Sequence, residues 1–87
     1  MKYARLIGTG SYVPERVISN KELESVVDTT HDWIVERTGI HQRHRAADGE
    51  GTGDLAFAAA TRAIEAAGID PATLDLIVLG TTTPDRV

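Results

Sequence analysis

Thr29, Trp33 and Arg37 recur at intervals of four residues: a hydroxyl, a flat aromatic plate and a fixed cation. On a helix, positions i, i+4 and i+8 form one stripe. Such a row suits a nucleotide. An indole can stack on a base, a contact of roughly 1–3 kcal/mol. A guanidinium can grip a phosphate through two parallel hydrogen bonds. A threonine hydroxyl can bond to a base edge or a sugar. The same residues also admit a plainer reading, in which the single tryptophan packs half-buried on an amphipathic helix and the arginine lies over it or pairs with an acid.

The stripe requires a helix, and the flanking residues predict one. Thr29 or Thr30 can act as N-cap, and Thr29 with Asp32 three residues on approximates a capping box. Asp32 sits in the first turn, where the helix dipole favours an anion. Gly39 can close the helix in the left-handed conformation.

The totals limit what else the chain can do. Its 87 residues carry a net charge of −4 with a pI near 5.2, which allows one domain. That balance argues against a nucleic-acid partner, which needs a basic surface. No apolar run approaches the ~18 residues of a membrane span. Only Leu6 and Ile7 separate the first residues from Gly8, so no signal-peptide core is expected there. Zero cysteines rule out a disulfide framework, a thiolate zinc site or a cysteine nucleophile within this stretch, and fit a cytoplasmic protein. The apolar fraction is 41%, but eleven of those residues are alanine. A core so thin barely offsets the entropy of ordering the chain, so its hydrophobic faces are expected to need further cover.

In chain order, residues 3–13 read as a strand. Gly8 and Gly10 lack the third glycine and the immediate helix of a dinucleotide loop; they read instead as places where another backbone or helix packs close. Residues 14–18 read as a loop. A short helix is expected over residues 20–27, with Ser19 and Glu22 as a capping box and Asn20 as a competing cap. Residues 40–45 read as extended. There His41 and His44 would point to opposite faces, and with no third ligand evident a metal site is not expected. The basic residues of this stretch suit either a solvated strand end or a site for anionic groups. Residues 46–53 form a glycine-rich loop. Residues 54–67 are the strongest helix, rich in alanine, capped by Thr52 or Asp54 and ended by Gly68, with Pro71 preventing its restart. Residues 76–79 read as a strand covered on both faces. Strand, helix and strand in this order predict a right-handed βαβ unit, with residues 80–87 leaving its carboxyl end.

These motifs together resemble the opening of β-ketoacyl-ACP synthase III, a thiolase-superfamily condensing enzyme. The resemblance is carried by Ile7-Gly8-Thr9-Gly10-Ser11-Tyr12-Val13-Pro14, Asn20, Val27-Asp28-Thr29, Trp33-Ile34, Arg37-Thr38-Gly39-Ile40 and Arg43. It continues through Ala59-Ala60, Ala63, Ile77-Val78 and Thr81-Thr82-Thr83-Pro84-Asp85. It implies an α/β, thiolase-like layered fold, of which residues 1–87 form the amino-terminal part of the first domain without an internal boundary. The implied order is a strand, two short helices, a strand, an alanine-rich buried helix and a strand. It also implies condensation of a short acyl-CoA, such as acetyl-CoA, with malonyl-acyl carrier protein through an acyl-cysteine.

On this resemblance Trp33 stacks on the CoA adenine, Thr29 contacts the base and Arg37 meets a CoA phosphate. No catalytic residue is assigned within the 87, because the family's cysteine, histidine and asparagine would follow Val87. No cofactor is implied, since acyl-CoA is a substrate. A cytoplasmic homodimer is expected, without nucleic acid or membrane. His31 departs from the acidic or small residue expected there, and would add a proton-sensitive contact if it faces the nucleotide. Starter-unit condensing enzymes of polyketide or quinolone synthesis share most of these motifs. A non-catalytic 87-residue module that binds CoA or a partner chain is the alternative of another class.

Overall fold

The computed structural model describes residues 2–86, which divide into two compact units: residues 13–48, and residues 2–12 together with 49–86. The element order is strand, helix, helix, strand, helix, the α/β pattern expected of a thiolase-like fold.

The unit of residues 13–48 is a β-α-α-β hairpin. Strand β1 (Arg16–Ser19) pairs antiparallel with β2 (Gln42–Arg45), in a register that sets Ile18 opposite Arg43 and Ser19 opposite Gln42. The Asn20 N–H extends the ladder by donating to the His41 carbonyl at 3.1 Å. Between the strands lie α1 (Asn20–Glu24) and α2 (His31–Thr38). Ile18 and Ile34 form the small apolar core.

Two sequence expectations change here. Residues 14–18, read as a loop, hold three of the four residues of β1, because the extended 40–45 stretch supplies a partner. The helix expected over residues 20–27 stops at Glu24. The Ser25 hydroxyl donates to the Glu22 carbonyl at 2.6 Å, and residues 25–27 turn tightly back on Glu22 and Leu23. Side-chain competition of this kind is why serine weakens helix interiors. At the start of α1 the Ser19 hydroxyl takes the cap role, accepting from the Glu22 N–H at 3.1 Å.

In the other unit, α3 (Thr52–Ala67) is capped by Gly51, not by Thr52 or Asp54 as expected, because the helix already includes both, and it closes at Gly68, which is left-handed at φ 67°. Asp54 accepts from the Gly51 N–H at 2.9 Å. Residues 2–12 cross the alanine stripe of α3 closely enough that a Cβ on Gly8 would lie 2.6 Å from the Ala63 carbonyl oxygen. A Cβ on Gly10 would lie 2.6 Å from that of Ala59. These glycines therefore serve helix packing, as their sequence context implied. Arg62 secures the crossing, donating to the Ser11 carbonyl at 2.7 Å with its guanidinium 5.4 Å from the Tyr12 ring centroid. At the amino end of α3, the Gly53 N–H donates to the Asp85 carboxylate at 2.9 Å and the Thr52 hydroxyl to the Thr83 carbonyl at 2.5 Å. Pro71–Thr73 form a single 3-10 turn.

The strands expected over residues 3–13 and 76–79 form no ladder among the described residues, where β1 and β2 make the one sheet. The parallel βαβ unit is accordingly not formed. A strand is a pairing property, and its hydrogen bonds require a neighbour. Leu76, Ile77 and Val78 are exposed. The alanine-rich helix, expected to be buried, has no buried residue. Its apolar side, with Phe57, Ala60 and Ile64, faces an open cavity of about 700 Å³ bounded by Leu74 and Ile77. The 87 residues hold too few large apolar side chains to wrap it. No helix among the described residues is long and apolar enough to cross a membrane.

Candidate functional site

Helix α2 and the turn before it build a groove of about 460 Å³ in the unit of residues 13–48. Leu23, Val27 and Ile34 form its apolar walls, and Asp28, Thr29 and Thr30 its polar edge. Trp33 lines it with 52% of its surface exposed. An indole so placed is neither core nor free surface; it offers a flat face to whatever enters. The Arg37 guanidinium lies 5.4 Å from the Trp33 ring centroid, one helical turn beyond the groove. This cation–π contact holds the positive charge beside the stacking plate.

The cap of α2 is Thr30, whose hydroxyl accepts from the Trp33 N–H at 3.1 Å. That choice between the two threonines matters for Thr29. It precedes the helix instead of opening the stripe on it, and its Oγ1 is buried without a hydrogen-bond partner. A buried unpaired hydroxyl costs about 1–3 kcal/mol. The structure thus brings Thr29 and Trp33 into one groove, with Arg37 against the Trp33 ring but outside the groove lining. Thr30→Ala should cost about 1 kcal/mol of stability through the lost cap. A denaturation midpoint equal to that of the unsubstituted protein would show that the cap contributes nothing.

His31 is not among the residues that line this groove. Its N–H donates to Glu24 Oε1 at 2.6 Å, and its Nδ1 lies 3.1 Å from Asn20 Nδ2. The ring lines a second cavity of about 470 Å³ with Ser19, Asn20 and His41, not the Trp33 groove. The proton-sensitive contact considered for His31 therefore has no geometric basis in that groove. The His41 ring lies 5.5 Å from that of His31, while His44 Nδ1 donates to the Pro14 carbonyl at 2.6 Å. No cluster of three potential metal ligands occurs among the described residues.

Asn20 and Arg43 both carry the family resemblance in sequence, but that they pair is not legible there. Asn20 reads in sequence as a rival helix cap, yet it is wholly buried. Arg43 donates to its Oδ1 at 2.5 Å and to the Ile18 carbonyl at 3.2 Å. The partners lie 23 and 25 residues apart, beyond any local signal.

No family model matches the chain. It is 56% identical over all 87 residues to a β-ketoacyl-[acyl-carrier-protein] synthase III of Laribacter hongkongensis, of which it covers 27%. The chain thus spans about a quarter of the length of the curated relatives it matches. Among solved structures, 3-oxoacyl-[acyl-carrier-protein] synthase III from Aquifex aeolicus matches 79% of this chain and 22% of its own, at 43% identity and a TM-score of 0.74. The priming β-ketosynthase of the R1128 polyketide pathway matches 92% of this chain and 25% of its own, at 42% identity and a TM-score of 0.79.

Proposed function

We propose, from the premise that this chain belongs to the β-ketoacyl-[acyl-carrier-protein] synthase III family, that it serves a condensing enzyme as the part that grips coenzyme A. Its 87 residues are the amino-terminal part of the first thiolase-like domain. In the complete enzyme a short acyl group, acetyl in the simplest case, passes from acyl-CoA to a cysteine thiolate and free CoA leaves. Malonyl-acyl carrier protein then loses carbon dioxide. Its carbanion attacks the acyl thioester, forming the β-ketoacyl product and returning the thiolate. The nucleophile lies outside these 87 residues, which contain no cysteine.

The role of this segment is binding. Trp33 stacks on the adenine, the Thr29 hydroxyl bonds to the base, and Arg37 pairs with a phosphate. The observation that carries this reading is the half-exposed Trp33 lining the same groove as Thr29, with the Arg37 cation beside it. The open apolar side of α3 supports a longer protein, whose further segments cover it. We place the enzyme in the cytoplasm as a homodimer acting on acyl-CoA and malonyl-acyl carrier protein.

Arg37→Ala in the full-length enzyme should weaken CoA binding, and the loss should shrink between about 0.05 and about 0.5 M salt as screening weakens the parent's own arginine–phosphate attraction. Titration calorimetry at both salt concentrations reads this. Equal affinities of variant and parent at low salt would remove Arg37 from the phosphate site.

The likeness to a priming ketosynthase of polyketide synthesis favours a second reading, with the same groove and a different starter unit. Acyl-transfer rates for acetyl-CoA against longer acyl-CoA substrates separate the two.

A further inference from the structure

The Asn20 side chain has no exposed surface, and a buried carboxamide must find partners for its donors and its acceptor. Its Nδ2 donates to the Ile40 carbonyl at 2.7 Å and meets His31 Nδ1 at 3.1 Å. Its Oδ1 accepts from Arg43, which can only donate. The carboxamide orientation follows, since the NH2 must face the carbonyl and the oxygen must face the guanidinium. His31 Nδ1 is then the acceptor in that pair, which assigns the ring proton to Nε2.

The positions of these partners matter more than their number. His31 is the first residue of α2, and Ile40 immediately follows Gly39, its C-cap. One buried carboxamide therefore holds the residue that opens α2 and the residue that leaves it. It is itself tied to β2 through Arg43, and to the residue just before β2 through the bond from its own N–H to the His41 carbonyl. Trp33 and Arg37 ride on α2, and Thr29 lies two residues before it.

We propose that Asn20 is the positioning residue of the Trp33 groove, fixing the placement of α2 and so the plane of the indole against the bound nucleotide. This rests on the reading of the groove as the CoA site. A network around one fully satisfied polar side chain specifies a single arrangement more narrowly than the two buried isoleucines beside it can. Aspartate at this position would keep the shape and the Arg43 pair while losing both Nδ2 donors, so it loosens α2 without emptying the core.

The test is a double-mutant cycle in the full-length enzyme, well below the unfolding temperature, with CoA affinity read by calorimetry and KM for acyl-CoA read separately from kcat. Asn20→Asp should weaken CoA binding about tenfold and raise KM while kcat at saturation stays within about twofold. That loss should vanish in a Trp33→Ala background, because the two residues act through one contact. Parental CoA affinity in N20D, or the same tenfold loss with Trp33 already removed, overturns the positioning role and leaves the groove reading intact. Parental affinity in W33A alone overturns the groove reading and the inference with it. Should N20D fail to fold, His31→Ala cuts the contact at the opening of α2 alone, and its coupling to Trp33 decides the same question.

Discussion

Trp33→Ala should weaken CoA binding in the full-length enzyme by roughly 1–3 kcal/mol, a factor of about 5 to 150. Stacking area is what the substitution removes. About half of the indole is already exposed, so the variant should lose little folding stability and its defect should appear in binding. Ile34, its buried neighbour, provides the contrast: Ile34→Ala should cost about 2–5 kcal/mol of stability. Trp33→Phe should retain part of the affinity, because a smaller ring still stacks. Calorimetric titration of CoA into each variant, with melting temperatures measured alongside, separates the two effects. Undiminished affinity in the alanine variant would return Trp33 to the structural role that its sequence context equally allowed.

The other large effect is expected at Gly10. A Cβ there would collide with the Ala63 backbone nitrogen and lie 2.6 Å from the Ala59 carbonyl oxygen and 2.9 Å from the Arg62 carbonyl carbon. All three belong to the backbone of α3, which cannot yield as the tip of a flexible side chain can. Gly10→Ala should therefore destabilise the protein by about 1–3 kcal/mol, the usual cost of overpacking. Gly8→Ala should act similarly, since its Cβ would sit 2.8 Å from that of Ala67. Gly80 is the control, since a Cβ added there would meet nothing within 4 Å. Urea midpoints for the three variants test the idea, and a midpoint for G10A no lower than that of G80A would show that the crossing over α3 is not tight.

The helices were legible because their signals are local. Gly39 and Gly68 both adopt the left-handed conformation at helix ends, and threonine and serine caps appear where short polar side chains precede periodic segments. The four-residue spacing of Trp33 and Arg37 likewise brings the two side chains into contact. The close approach at Gly8 and Gly10 could also be read, because two glycines on one side of an extended stretch leave room for another backbone to approach.

The strands were less legible. Residues 16–19 are β1 because residues 42–45 happen to lie alongside, whereas residues 76–79, with stronger β composition, pair with nothing among the described residues. Propensity cannot state which partner is present. The same limit hid Asn20: its identity suggested a cap, and its burial and its bonds to His31, Ile40 and Arg43 exist only once the hairpin closes.

By itself, then, the sequence carried the family resemblance, the presence of the three helices with the glycines that close α2 and α3, and the four-residue spacing of Trp33 and Arg37. Residue type and short spacing suffice for these, since each rests on contacts within a turn or two of backbone. Tertiary structure alone decided that Thr30 and not Thr29 caps α2, freeing the Thr29 hydroxyl, that His31 turns away from the groove, and that Asn20 holds both ends of the helix. Those outcomes depend on which polar groups lose water together when distant segments meet, and a chain read one residue after another does not contain that information.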